Sequence, residues 1–478
     1  MLVSHTDAPP LRPPPMPAVA HCDPLGPLRP SPGRATLAVL LGPAAVLLAG
    51  IGAVARRPSL LAAATVVLVC MPAGPGVAGG GVADLASAGL VAVALGRALL
   101  TGQRPLSRVA VALFGTVLIA LALATVTSQD PSTSLGGLVR YAQLFVLVPV
   151  AVAVSVRDHR DVALVCGAFL AVSVGQGVLG VVQYLTGTGA SYAGQNIRAI
   201  GTFGATDIMA MSTVVSYGVL LALGLGLGSR GFRRPVLLLT AAALLVPLAF
   251  SLSRGAWIAT AIAIALVMLV HSWRVAVAAG VASVALGVIM VGGFGIGSEM
   301  LGQRVASIAM STTSPDHSVS DRYDLWKSAS EMWVDHPVTG VGLRGFPAYR
   351  DSYAPLRLSS GSDTEDLSSG FQRQELLSPH SMPFLVLSEQ GVVGLVAFGG
   401  LFGTLAVAAI ARTRQEPSPA LHGFGLAATG GLVWHLVSFG YGDVGGDTSV
   451  LLSVVIGLAV RWALPATSRA TPHTSVMS

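Results

Sequence analysis

The stretch PLAFSLSRGAWIATAIAIALVMLV, residues 247–270, decides the fold class of this chain. It closes one apolar run and opens another, and only SLSRG separates the two. A membrane helix needs about 20 mostly apolar residues, and each run approaches that length. Ser253 is suited to cap the second helix, and Gly255 lets the backbone come close to its neighbours. The stretch therefore predicts two membrane-spanning helices joined by a tight turn that carries Arg254.

The composition indicates that this arrangement is repeated along the chain. Hydrophobic residues make up 53% of the 478 residues and charged residues only 10%, whereas soluble proteins carry about 25% charged residues. We therefore predict an all-α, polytopic integral membrane helical bundle of about 12–13 transmembrane helices, with one large extracytoplasmic loop containing short helices. The three cysteines, Cys22, Cys70 and Cys166, are widely spaced and odd in number, so neither a disulfide framework nor a metal site is expected.

Apolar segments of near-spanning length divide the chain into regions. The predicted spans are 36–55, 59–76, 82–100, 108–127, 135–156, 162–185, 208–228, 235–252, 255–271, 274–296, 382–411, 419–439 and 448–465. The expected regions are a disordered Pro-rich N-terminal tail (1–34), transmembrane helices 1–10 (35–296), a large extracytoplasmic catalytic loop (297–381), transmembrane helices 11–13 (382–465) and a disordered C-terminal tail (466–478).

The arginines predict how the chain is oriented. Basic loops such as RDHRD and SRGFRRP alternate with loops that carry few arginines, and the positive-inside bias puts the basic loops in the cytoplasm. The outer face then carries the 186–207 segment, the Arg254 turn, the 297–380 loop and the turn YGDVGGD at 441–447. We expect a multi-pass protein of the inner (cytoplasmic) membrane, although the pattern leaves the side of the N-terminal tail open. Because these loops account for the net charge of +6, no nucleic-acid partner is expected.

The long loop opens with a helical pattern. Its apolar positions, at three- and four-residue spacing, are Leu325, Trp326, Ala329, Met332 and Trp333. Pro337 and Gly340 are expected to end this helix. An amphipathic helix with two tryptophans suits the membrane surface. The stretch RLSSGSDTEDLSSG, residues 357–370, is expected to be flexible.

Three residues of the outer face are the main candidates for chemistry. Arg254 at a helix N-terminus makes an anion site, or it is an arginine snorkelling at the interface. Arg322 binds an anion, or it is a solvated charge near Asp321 and Asp324. His380 takes a proton from a hydroxyl, or it is an interfacial polar residue. These alternatives stay open at the level of single residues.

Two further arginines are candidate substrate-binding residues. Arg344 lies in the long loop, and Arg198 lies in the outer 186–207 segment. Metal-binding and nucleotide-binding motifs such as HExxH and the P-loop do not occur in the sequence. Any reaction is therefore expected to need neither a metal nor another cofactor.

Three motifs in order resemble one known family. FSLSRGAW (250–257), DRYDLWKSASEMWVDHPVTGVGLRGF (321–346) and SPHSMPFLVLSEQGVVGLVAF (378–398) are similar to segments of the O-antigen ligase and O-antigen polymerase superfamily, and IRAIGTFGATDIMAM (197–211) resembles its segment before the central helices. The resemblance spans roughly residues 135–465. RLSSGSDTEDLSSGFQRQELL does not align with the family pattern, which leaves open an insertion that shapes the choice of acceptor.

The resemblance implies a metal-independent inverting glycosyltransferase of the cell envelope. Its donor would be a glycan on undecaprenyl diphosphate, delivered to the outer leaflet by a flippase. Matched residue by residue, Arg254 and Arg322 would hold the diphosphate, and His380 would activate the acceptor hydroxyl. Arginine suits this role because its guanidinium binds phosphate oxygens bidentately and stays charged.

The acceptor is left open by the resemblance. A polymerase transfers the chain to another lipid-linked repeat unit, and a ligase transfers it to lipid A core or to a protein. The use of arginine in place of lysine suggests a GC-rich genome, which is compatible with a bacterium that lacks lipopolysaccharide. Polymerisation of a surface polysaccharide or exopolysaccharide is therefore favoured. A chain-length regulator is a candidate partner. A secondary transporter or flippase for lipid-linked sugars is the alternative of another class, although transporters usually place polar residues near the bilayer midplane.

Overall fold

The computed structural model describes residues 56–71, 81–101, 106–192, 197–204, 207–288, 317–356, 358, 361–366, 370–446 and 448–465, together with Gly52 and Val54. The chain divides into two units, Met1–Gly52 and Ala53–Ser478, and the features below all belong to the second. The two predicted disordered tails lie outside the described residues. The first predicted span, 36–55, also lies outside them apart from two residues.

Helices make up almost all of the described structure. The apolar ones are α1 (Ser59–Val69), α2 (Gly81–Thr101), α3 (Arg108–Val126), α4 (Pro131–Ala142), α5 (Val148–Ser155), α6 (His159–Thr186), α7 (Ala210–Leu227), α8 (Arg233–Phe250), α9 (Arg254–His271), α10 (Trp273–Val288), α13 (Met382–Gln415), α14 (Pro419–Ser438) and α15 (Ser449–Ala463). Before α13, the long loop contributes α11 (His317–Asp335) and α12 (Phe346–Tyr353). A π-helical turn, Gln143–Leu147, joins α4 to α5.

The helices confirm the predicted fold class. Within the described part of the chain, nine helical segments are long and apolar enough to cross a membrane, with α4, the π-helical turn and α5 forming one of them, Pro131–Ser155. Shorter apolar helices accompany them, including α1 and α15. A helix lies at each predicted span from 59–76 onward. The chain is therefore a polytopic, all-α membrane protein.

A small antiparallel sheet is the exception to the all-α pattern. Its strands are β1 (Ser191–Tyr192), β2 (Gly361–Asp366) and β3 (Gly370–Glu375), in that spatial order. The prediction that 357–370 is flexible is therefore wrong for β2. Asp363 pairs across the hairpin with Arg373, and their side chains form a 3.0 Å ion pair. Opposite charges at facing positions stabilise antiparallel strands, and docking on β1 adds backbone bonds that local composition does not reveal.

The apolar face of α11 is covered by protein. Leu325, Ala329 and Met332 are fully buried. Trp326 stacks on Phe384 of α13, with ring centroids 5.4 Å apart. The expected helix is confirmed. The expectation that its apolar face lies on the membrane surface is wrong, because this face packs against α13 and its neighbours.

Helix α2 is held to the bundle by a polar cluster. Arg140 Nη1 of α4 forms a 2.5 Å ion pair with Asp84 Oδ1 of α2. Gln143 Nε2 donates to the same carboxylate oxygen at 3.1 Å and to Ser87 Oγ at 2.9 Å. Because α2 buries few of its side chains, these bonds fix its position where packing alone is sparse.

The long helix α13 is broken at Gly391. This residue has φ 63° and ψ −160°, which separates Met382–Gln390 from the rest of the helix. The break frees backbone groups, and the loop after α11 binds them. Val341 N donates to Ser388 O at 2.9 Å and Gly342 N to Glu389 O at 3.0 Å. Non-helical backbone at membrane depth is tolerated where protein supplies such partners.

Two glycines allow the loop to enter the break. A Cβ on Gly340 would lie 2.3 Å from the Glu389 carbonyl carbon, and a Cβ on Gly391 would lie 2.3 Å from the Val338 carbonyl carbon. Both glycines also have left-handed φ angles, 67° and 63°. We call this contact between residues 337–342 and 388–393 the interlock.

Substitution of Gly391 by alanine should open the interlock. Left-handed φ and the clash with Val338 together should lower the free energy of unfolding by at least about 2 kcal/mol. Gly399→Ala is the matched control in the same helix, because a Cβ there meets no atom within 4 Å. Its higher helix propensity should keep or raise stability by up to about 1 kcal/mol. Thermal unfolding of both variants in detergent checks this, and equal melting temperatures would contradict the interlock.

Candidate functional site

The Arg254 turn forms as the sequence predicts. Helix α8 ends at Phe250 and α9 begins at Arg254. Ser253 caps α9, since its Oγ accepts a hydrogen bond from Ala256 N at 3.3 Å. Leu252, which has φ 49°, turns the chain between the two helices. Arg254 therefore stands in the first turn of a helix, where the partial positive charge of the N-terminus adds to its own.

Tyr441 connects the Arg254 turn to Arg322. The ring of Tyr441 packs on Gly255, where an added Cβ would lie 2.3 Å from Cε2 of the ring. Burial raises the pKa of the Tyr441 phenol, and the positive charge of Arg322 opposes that rise. Arg322 of α11 is thus within electrostatic reach of a ring that touches the residue after Arg254. Gly255 is needed because any side chain would displace the ring.

His380 occupies a buried corner just before α13. Its backbone has φ 49°, in the left-handed region. Its Nδ1 lies 3.4 Å from Ser378 Oγ. Burial lowers the pKa of His380, the negative charge of Asp443 raises it, and the positive charge of Arg322 lowers it further. The net direction is downward, so the imidazole is neutral at pH 7.

Backbone bonds to the turn after α14 hold His380 in this corner. Met382 N donates to Phe439 O at 2.9 Å and to Gly442 O at 3.0 Å. Ser381 Oγ donates to Phe439 O at 3.4 Å. This docking places the residue before α13 beside the 441–443 turn. The 441–443 turn therefore connects three segments that are far apart in sequence. The Arg254 turn contacts it through Gly255 and Tyr441, Arg322 acts on Tyr441 and His380 through its charge, and the His380 corner docks beside it.

Tyr441 and Asp443 were not among the residues that the sequence pointed to. Asp443 Oδ2 and the Tyr441 hydroxyl are buried, and neither has a hydrogen-bond partner within the described part of the protein. Buried polar atoms are nearly always bonded, so such atoms call for an explanation. The sequence placed the 441–447 turn on the same face as His380. It gave no signal that docking of Met382 would bring Asp443 to the imidazole.

Arg344 lies beyond Glu389, at the interlock. It is exposed and has φ 57°. Glu389, only 2% exposed, accepts a hydrogen bond from Phe346 N at 3.3 Å, at the start of α12, and one from the Tyr141 hydroxyl at 3.4 Å. Tyr141 interacts electrostatically with Arg344 and with Asp443. Tyr141 is therefore within electrostatic reach of both Arg344 and Asp443.

Arg198 adjoins the Arg254 turn from the 197–204 segment. Its side chain is 8% exposed. Its backbone pairs with Ala190 through bonds of 2.8 and 3.0 Å, and Ala199 N donates to Phe250 O at 3.1 Å. Arg198 is thus held next to the end of α8.

The arrangement combines fixed cations with a neutral base. Arg254 and Arg322 supply charges that suit phosphate oxygens. His380, beside the carboxylate of Asp443, is suited to take a proton and to be stabilised as an imidazolium. Among the residues that the structure describes, no group of three or more His, Cys, Asp or Glu side chains is placed to hold a metal ion.

Comparison with protein families gives one match. Residues 235–399 match the family described as O-antigen ligase. This match supports a relation of the chain to the O-antigen ligase and polymerase superfamily. The chain has no match among curated proteins.

The O-antigen ligase match covers most of the candidate site. It extends from the first turn of α8 to the part of α13 beyond the interlock, so it includes Arg254, Arg322, Arg344 and His380. Asp443 lies outside it. The family supports a membrane glycosyltransferase of the O-antigen ligase or polymerase type, which acts on lipid-linked glycans.

The two charges around His380 should shift its pKa in opposite directions. Arg322→Gln removes a cation that lowers the pKa of His380, and the pKa should therefore rise toward 6.5. Asp443→Asn removes an anion that raises the pKa of His380, and the pKa should therefore fall further. Lys327→Gln is the matched control, because Lys327 is an exposed cation on the same helix. A pH titration by NMR with labelled histidine checks this, with His380→Gln used to assign the signal. Shifts of one sign in both variants would contradict the placement of His380.

Proposed function

We propose that the chain transfers a glycan from undecaprenyl diphosphate to a hydroxyl acceptor at the outer face of the cytoplasmic membrane, with inversion and without a metal. The observation that carries the proposal is that the Arg254 turn, Arg322 and the His380 corner all adjoin the 441–443 turn. The family match at residues 235–399 supports a glycosyltransferase, and the shared position beside the 441–443 turn supports the roles that we assign within it.

His380 acts as the general base in this proposal. Its neutral imidazole takes the proton of the acceptor hydroxyl, whose oxygen forms a bond to the anomeric carbon of the donor. The bond from that carbon to the diphosphate oxygen breaks on the opposite face, and the diphosphate leaves with the electron pair. Asp443 is a positioning residue, since its negative charge stabilises the imidazolium that forms.

Arg254 and Arg322 bind the diphosphate. Negative charge grows on the leaving group as the glycosidic bond breaks, and preorganised cations stabilise that charge more than they stabilise the bound donor. Arginines meet this demand without a metal because their charge is fixed at any working pH. Arg344 and Arg198 are proposed to bind further parts of the donor or acceptor.

The placement of charge along the helices supports an outer site. The 441–443 turn and the Arg254 turn lie at one end of the helices, and basic segments such as Arg230–Arg234 lie at the other end. The positive-inside bias assigns the basic end to the cytoplasm. A donor delivered to the outer leaflet by a flippase then reaches the site directly.

Polymerisation of a surface polysaccharide or exopolysaccharide is the acceptor reaction that we favour. In that case the acceptor is a second lipid-linked repeat unit, and a chain-length regulator is a candidate partner. Ligation to lipid A core or to a protein uses the same residues with another acceptor.

Lipid-linked glycans of a strain lacking this protein should change in size. Single repeat units accumulating on undecaprenyl diphosphate would support a polymerase, and long chains accumulating there would support a ligase; mass spectrometry separates the two. No accumulation of either would contradict a transferase and favour a transporter.

Complementation of that strain tests the assigned residues. Arg254→Gln and Arg322→Gln should each lower transfer by about 10²–10³-fold, and His380→Ala by at least about 10²-fold. Lys327→Gln should restore the wild-type pattern, and immunoblots of membranes should show equal amounts of each variant. Restoration by His380→Ala would remove it as the base.

A further inference from the structure

A cavity lined by arginines lies at the end of the bundle opposite the candidate site. Its volume is about 310 Å³, and its walls come from the carboxyl ends of α2, α5 and α15. Arg97, Arg157 and Arg461 line it, one from each of these three regions. No acidic residue is among the lining residues. The cavity therefore brings three positively charged side chains together among its described lining residues.

Hydrogen bonds to the backbone fix two of these guanidinium groups. Arg461 Nε donates to Val156 O at 2.7 Å, and its Nη2 donates to Arg157 O at 3.1 Å. Arg157 Nη2 donates to Arg56 O at 2.9 Å. These bonds offset the partial negative charge at the end of α5. A guanidinium carries five N–H groups, so Arg157 and Arg461 each retain donors beyond these bonds for a ligand.

The rest of the wall is apolar. Leu106, Val154, Val460 and Leu464 line the cavity together with alanine side chains. On α2 the chain continues into Leu99 and Leu100, which are 74% and 89% exposed and belong to a membrane-type helix. One part of the cavity wall is therefore cationic, and another part continues into an apolar surface that is suited to contact hydrocarbon chains.

The cavity is remote from the candidate site. Helix α15 begins at Ser449, near Asp443, and ends at Ala463, beside the cavity. Its 15 residues correspond to a length of about 22 Å. The basic loops expected in the cytoplasm lie at the cavity's end of the helices. A ligand bound here would therefore contact the membrane face opposite His380.

We propose that this cavity binds the headgroup of an anionic glycerophospholipid in the inner leaflet. The guanidinium groups bind the phosphodiester oxygens, as arginine forks do. The apolar wall receives the start of an acyl chain, which distinguishes a lipid from free phosphate. Basic pockets between membrane helices on the cytoplasmic side bind acidic headgroups in this way. The inference does not depend on the chemistry proposed for His380.

Native mass spectrometry of the full chain in detergent tests the proposal. After addition of phosphatidylglycerol, the protein should retain one molecule, and Arg97→Gln should reduce that retention at least tenfold. Arg97→Gln with Arg461→Gln should abolish it. Because Arg461 also bonds the backbone, the single variant keeps the test valid if the double variant fails to fold.

The controls distinguish lipid binding in this cavity from nonspecific electrostatic attraction of lipids to the protein. Arg233→Gln removes an exposed arginine at the same end of the bundle and should leave retention unchanged. Equal retention of phosphatidylcholine, equal loss in Arg233→Gln, or displacement of the lipid by millimolar inorganic phosphate would overturn the proposal.

Discussion

The backbone hydrogen bonds of the interlock are the contact on which the rest of the structure depends. The break at Gly391 frees carbonyl and N–H groups inside a membrane-type helix, and an unpaired group in hydrocarbon costs several kcal/mol. The loop after α11 meets those groups with its own backbone. The long loop is therefore part of the bundle, and the helices it contains are held in register with α13. Since His380 lies just before α13 and Arg322 lies on α11, the interlock also sets the spacing between them.

Strained backbone accompanies the candidate site. Within the described residues, Leu252, Arg344 and His380 are the non-glycine residues with left-handed φ. Each stands in or next to a loop that carries a proposed site residue, and such conformations cost of order 1–3 kcal/mol. Packing on three sides holds them: the cap of α9, the interlock and the docking of Met382 on the 439–442 turn. Strained backbone at or beside proposed site residues is the arrangement expected of a site that is preorganised to stabilise charge.

Local physics explains what the sequence could predict. Apolar runs of spanning length predicted the helices, Ser253 predicted the cap of α9, and three- and four-residue spacing predicted α11. Arg254, Arg322 and His380 could be selected because their motifs are local. Asp443, Tyr441 and Glu389 join them only through contacts between distant segments, which no local pattern encodes. The sequence gives one local indication of the break at Gly391, because SEQG puts Glu389 and Gln390 inside an apolar run. The loop that fills the break is about 50 residues away in the sequence, so no local pattern indicates it.

We propose that this chain alone performs metal-independent glycan transfer with His380 as its base. The direct measurement is transfer by the purified protein, reconstituted with a lipid-diphosphate-linked glycan and its acceptor in the presence of EDTA. Under this proposal, product should form in EDTA, and the His380→Ala protein, folded to the same melting temperature, should form none. Loss of transfer in EDTA, or full transfer by His380→Ala, would contradict it.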